Sequence, residues 1–138
     1  MTVGLYERIE ERITATENAV RAADKEHGRD WSAEWDARLD SFRIIDGSGN
    51  LIADNAQPGA AAFISMHDPA AVFRRCAADR KMLERHGVPA DVLGPNYERE
   101  ARWCVGCGFA GNGEPVIDNV DDCPVLSALA EGYGLLPQ

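Results

Sequence analysis

Cys104-Val105-Gly106-Cys107-Gly108, joined sixteen positions later by Cys123-Pro124, is the part of this chain that constrains the rest. A C-x-x-C-G turn lets two thiolates face one ion at about 2.3 Å each, and a third thiol from elsewhere narrows the site toward a tetrahedron. Glycine after the second cysteine lets the backbone fold back without a Cβ in the way. Cys123 precedes a proline at the first position of a final helix, where the helix dipole favours a thiolate. Three sulfurs need a fourth ligand, and the chain offers Cys76, His86, His67 and His27.

His86 is the best placed, because it ends a helix that opens at Asp68-Pro69. Cys76 lies ten residues earlier on that helix, about 15 Å along its axis, so the two cannot share an ion. A buried cysteine on an apolar arc reads as a small core residue. His67 sits at the far end of the helix, and His27 beside Gly28 looks like an ordinary helix C-terminal residue. The expected site is therefore His86-x17-Cys104-x2-Cys107-x15-Cys123. Mixed nitrogen and sulfur ligands in tetrahedral array select zinc. A thioredoxin-like redox pair lacks its strand-before, helix-after setting, and an iron-sulfur centre would ask for a fourth cysteine.

Working outward, the 138 residues suit one domain, 1–138, of α+β class. It divides into a helical N-terminal segment (1–40), a β-hairpin or meander (41–66), a central helix (68–87) and a zinc-stapled segment with a short helix (88–138). Leu5, Ile9, Ile13, Thr16, Val20 and Ala23 form one stripe of a first helix, over 2–26, that Gly28 stops. Trp31, Trp35 and Leu39, spaced by four, predict a second short helix with both tryptophans in the core; an exposed aromatic anchor is the rival reading. Phe42–Ile45 and Leu51–Ala53 predict antiparallel strands around Asp46-Gly47-Ser48-Gly49-Asn50. Gln57-Pro58-Gly59 reads as a turn, and Ala61–Ile64 as a third strand or a helix start. The central helix carries Val72, Phe73, Cys76 and Leu83 on one side. Arg74, Lys81 and Arg85 share the other, a solvated face rather than a binding stripe. Residues 88–102 read as loop with a short helix and a Gly94-Pro95-Asn96 turn, and Val116-Ile117 as a short strand.

Composition limits function. Net charge is −9, and from Trp103 onward five acids stand without a single Lys or Arg, which disfavours gripping phosphates there. No apolar run is long enough to cross a bilayer, and the charged start, Met1 to Arg12, has no leader-like apolar stretch. A reducing cytoplasm is the expected setting, where a cysteine cluster favours metal over disulfides. Catalytic signatures are missing: no H-x-E accompanies C-x-x-C, Trp103 replaces the proline of the zinc deaminase motif, and H-E-x-x-H and phosphate-binding glycine loops are absent. Asp121-Asp122 fits acids at a helix N-terminus better than a general base. A non-catalytic protein acting on a protein partner is the first expectation. The alternatives are an enzyme with an open three-cysteine zinc and, less favoured, a nucleic-acid binder using Arg74, Lys81 and Arg85.

His67-Asp68-Pro69-Ala70, the stretch Arg80-Lys81-Met82-Leu83-Glu84-Arg85-His86, and Cys104-x2-Cys107 before Cys123-Pro124-Val125-Leu126 together resemble a family of small proteins of actinobacteria and their phages, known only as a domain of unknown function. The resemblance spans most of the chain and is strongest from His67 to Leu129. It implies His86 as fourth ligand and a phage or host-cytoplasm setting, and it implies no activity; the protein partner expected above is then a host factor. The family's Arg after C-P-x-L is Ser127 here, and its Pro- and Trp-containing tail has no counterpart, which removes those groups from any shared role.

Overall fold

The computed structural model describes residues 4–87 and 103–135. The loop, short helix and Gly94-Pro95-Asn96 turn expected over 88–102 lie outside the described residues. The order of elements is α1 (Leu5–His27), β1 (Trp31–Asp36), β2 (Ser41–Asp46), β3 (Leu51–Ala56), α2 (Pro58–Met66), α3 (Pro69–His86), β4 (Cys104–Phe109), β5 (Pro115–Ile117), a 3-10 turn (Val120–Asp122) and α4 (Pro124–Gly132). This is the α+β class the sequence predicts. No described helix is long and apolar enough to cross a membrane.

The chain forms two compact units, one made of Ala15–Cys76 and the other of Met1–Thr14 with Ala77–Gln138. The continuous unit holds an antiparallel sheet in the order β1-β2-β3. Asp46 builds the β2–β3 turn. One carboxylate oxygen accepts from the Ser48 and Asn50 backbone N–H groups at 2.8 and 2.9 Å, and the other accepts from the Asn50 side chain at 3.0 Å. These bonds, those from Asn50 foremost, hold its carboxyl below the usual carboxylate range. Gly49, at φ +84°, supplies the left-handed residue the turn requires.

Three expectations in this unit are corrected. Trp31 to Asp36 is a strand, not a helix. A spacing of four is even, so Trp31 and Trp35 share a face in a strand as they would in a helix, and the spacing alone could not decide. Trp35 is also not core: it is 51% exposed, standing edge-on to Phe42 with ring centroids 5.2 Å apart. Gln57-Pro58-Gly59 does not turn the chain. Gln57 is extended and Pro58 opens α2, because proline suits the first helical position and Ala60-Ala61-Ala62 favours helix. Ala61–Ile64 therefore falls on the helical side of its two readings.

α3 begins as its sequence predicts. Asp68 Oδ1 accepts the Ala71 N–H at 2.7 Å, and Pro69 follows as the first helical residue. Arg74, Lys81 and Arg85 are all exposed, and Cys76 and Leu83 are buried. Gly28, at φ +71°, terminates α1.

In the discontinuous unit, Leu5, Ile9 and Ile13 from α1 are buried, as are Leu83 from α3, Val120, and Leu126 and Ala130 from α4. Tyr133 Oη donates to Asp79 Oδ2 at 2.5 Å, fixing the end of α4 to α3. Asp121 does not serve α4. Its Oδ1 accepts the backbone N–H of Leu5 at 3.0 Å and so satisfies a free donor at the start of α1. That is the bond an N-cap residue ordinarily supplies. Asp121→Ala is expected to cost about 1 kcal/mol, read as a shift of the urea midpoint without a change in slope.

Candidate metal centre

The four donors come from three places. His86 is the last residue of α3, Cys104 and Cys107 lie on β4, and Cys123 stands at the N-cap of α4. Each placement has a local cause. Gly87 closes α3 by donating its N–H to Leu83 O at 2.7 Å, with the Tyr6 ring packed where a Cβ would be, so His86 is held at the helix end. Asn119 Oδ1 accepts the Asp121 N–H at 3.0 Å and the Cys123 N–H donates to Val120 O at 3.1 Å, which winds the 3-10 turn. The Cys123 backbone carbonyl then accepts the first helical bond from Ser127 at 2.9 Å. Its sulfur caps nothing in the helix and faces the other donors.

The C-x-x-C segment is a strand rather than the tight turn its motif suggests. Residues three apart on a regular strand point to opposite faces. Here the register slips between Cys104, which faces Ile117, and Phe109, which faces Pro115, and Gly108 takes φ +97°. That irregularity brings both sulfurs to one side. Gly106 makes the approach feasible. A Cβ there would lie 2.6 Å from Arg85 O and 2.8 Å from His86 Nδ1. Sequence reasoning singled out Gly108 and overlooked Gly106, although a second glycine inside C-V-G-C was the available signal.

His86 Nδ1 lies 3.3 Å from Cys104 Sγ, 3.5 Å from Cys123 Sγ and 3.6 Å from Cys107 Sγ. Cys123 Sγ lies 3.5 Å from Cys104 Sγ and 3.6 Å from Cys107 Sγ. Disulfides, at about 2.05 Å, are excluded by these separations, and all four cysteines are free. A tetrahedron with bonds of about 2.3 Å to sulfur and 2.05 Å to nitrogen has edges of about 3.8 and 3.6 Å. The observed edges fall within about 0.3 Å of those values, so the donor set is compatible with one four-coordinate ion. Cys104 and Cys123 are fully buried, while Cys107 and His86 are half-buried. Burial, reinforced by hydrogen bonds with Cys104 and Cys123, pushes the Cys107 thiol up to about 12. Crowded thiols resist ionisation unless a cation is there to accept the charge, which is what a metal supplies.

The rejected candidates have other occupations. Cys76 is buried on α3 and outside the cluster. His67 pairs its Nδ1 with Arg75 Nη2 at 2.9 Å and packs on Phe63 with centroids 4.3 Å apart. His27 meets Trp31 edge-on at 6.4 Å.

No curated protein and no solved structure matches this chain. A family model does, across residues 4–135, from the start of α1 through the whole donor set and α4. The chain therefore belongs to the family of unknown function designated DUF6221.

Proposed function

We propose that this protein is a small zinc-stapled accessory protein that acts by binding another protein, with no chemistry at the metal. The observation that carries the reading is the position of His86, whose Nδ1 lies within 3.6 Å of all three sulfurs. With a fourth protein ligand in place, a tetrahedral ion keeps no position for water or substrate. Thiolate and imidazole together favour zinc among common divalent ions of this geometry. The exposed large apolar side chains of the continuous unit support an interaction role. Phe63 and Met66 are neighbours on α2, 63% and 72% exposed, and Trp35 is half exposed. The resemblance to actinobacterial and phage proteins makes a cytoplasmic host factor the first partner to seek.

X-ray absorption on the purified protein tests the metal reading. One zinc per chain with three sulfurs and one nitrogen is expected. Three sulfurs and one oxygen would instead mean an open, catalytic site. Affinity capture from actinobacterial lysate tests the interaction, and a capture profile identical to that of bare resin would count against it. Binding must displace the proton of Cys107, held up to about 12. Zinc affinity is therefore expected to fall steadily as the pH is lowered from 8 to about 5.5, with proton release on binding measurable by calorimetry in buffers of different ionisation heat.

A further inference from the structure

The ribbon that carries Cys104 and Cys107 also walls a cavity of about 410 Å³, lined by Trp103, Gly113, Glu114, Pro115 and Asp118. Its volume lies in the lower part of the range of about 300–1,000 Å³ seen for ligand sites. The register places its chemistry. Cys104 faces Ile117, so one step outward Trp103 stands across from Asp118, where β4 and β5 part. At the other end the Ala110 N–H donates to Glu114 O at 2.7 Å, and the Glu114 carboxylate accepts the Asn112 side chain at 2.7 Å, which fixes the second acid at the rim.

An indole, a proline ring and two carboxylates around one hollow are the groups that receive an organic cation. The indole offers the strongest cation–π face among side chains, the carboxylates supply charge, and the concave wall concentrates their field. The chain from Trp103 onward carries Glu114, Asp118, Asp121, Asp122 and Glu131 with no Lys or Arg. We propose that this cavity is a docking site for a protonated lysine or arginine side chain presented by a basic segment of a protein partner. The proposal rests on the interaction reading above and names the partner's chemistry. Zinc would matter here only as a fastener, since Trp103 adjoins one ligand and Asp118 follows the strand paired with it.

The test uses the full-length, zinc-loaded protein labelled with ¹⁵N, observed through its tryptophan indole N–H signals. The probe is an acetylated, amidated hexapeptide alternating glycine with lysine, and the control replaces lysine by norleucine. The Trp103 indole is expected to shift saturably with the lysine peptide and to stay put with the norleucine peptide, while Trp31 and Trp35 serve as internal references. The exposed acids are replaceable without touching the metal ligands, so Glu114→Gln with Asp118→Asn is expected to weaken binding at least about tenfold. Raising salt from 50 to 500 mM is expected to weaken the wild type similarly. A motionless Trp103 signal, an equal shift with norleucine, or unchanged affinity in the double variant would overturn the proposal. If the cavity is silent yet a partner is still captured specifically, only this site is wrong. If the peptide binds and no partner is captured, the interaction reading is the one that fails.

Discussion

Stripping the metal with a strong chelator, or replacing a ligand by Cys107→Ser, is expected to disorder Trp103 to Leu135. β4 and β5 are short, and β5 has only three residues. Among the described residues of this stretch, the buried apolar side chains are Pro115, Val120, Leu126 and Ala130, beside the donor cysteines Cys104 and Cys123. A structural zinc site supplies about 10–16 kcal/mol of apparent binding free energy, as large as or larger than the whole net stability of an ordinary domain. The sheet β1-β2-β3 provides none of the four donors and is expected to keep its amide protection. Hydrogen exchange resolved by segment separates the two outcomes. Unchanged near-UV circular dichroism, with unchanged proteolysis of residues 103–135 after metal removal, would show that the cluster does not hold the fold.

Gly106→Ala is expected to be the most damaging substitution that leaves every ligand in place. The added methyl would sit 2.6 Å from Arg85 O and 2.8 Å from His86 Nδ1, well inside van der Waals contact on both sides. One of these atoms is backbone at a helix end and the other is a donor of the cluster, so neither moves without opening it. Overpacking of this kind costs about 1–3 kcal/mol. Because the displaced atom is a donor, zinc affinity is expected to fall about tenfold or more, the equivalent of 1.4 kcal/mol. Gly111→Ala is the matched control. No heavy atom lies within 4 Å of its new Cβ, and both stability and affinity are expected to be unchanged. Equal affinities for the two variants in a competition with a chromogenic chelator would dismiss the close approach as a determinant of the site.

The gathering of His86, Cys104, Cys107 and Cys123 was legible because its information is local. C-x-x-C, Cys-Pro at a helix start and a histidine before a terminating glycine each announce their own backbone setting. Their convergence followed from valence, since three thiols call for a fourth ligand and two of the histidines sit in settings of their own. The sheet was read less well. Trp31 and Trp35 obey strand and helix periodicity at once, and the exposure of Trp35 depends on where the neighbouring strands end. Pro58-Gly59 reads as a turn signal because Pro-Gly usually is one, though the three alanines after it make helix the better local choice. Asp121 shows a different limit. Its acidity beside a helix start was visible, but the N-terminus it serves belongs to α1, and no local pattern reports a hydrogen bond across 116 positions.

That bond sets an order of events during synthesis. Leu5 leaves the ribosome 116 residues before Asp121, a delay of roughly 6–23 s at translation rates of about 5–20 residues per second. All four donors are also made late, after the whole of Ala15–Cys76, and the three sulfurs come last. The continuous unit can thus acquire its hairpins while the first turn of α1 still waits for its acceptor and His86 for its sulfurs. Newly made chains therefore pass through an interval in which the N-terminal helix is unclosed and His86 stands without the three sulfurs that later surround it.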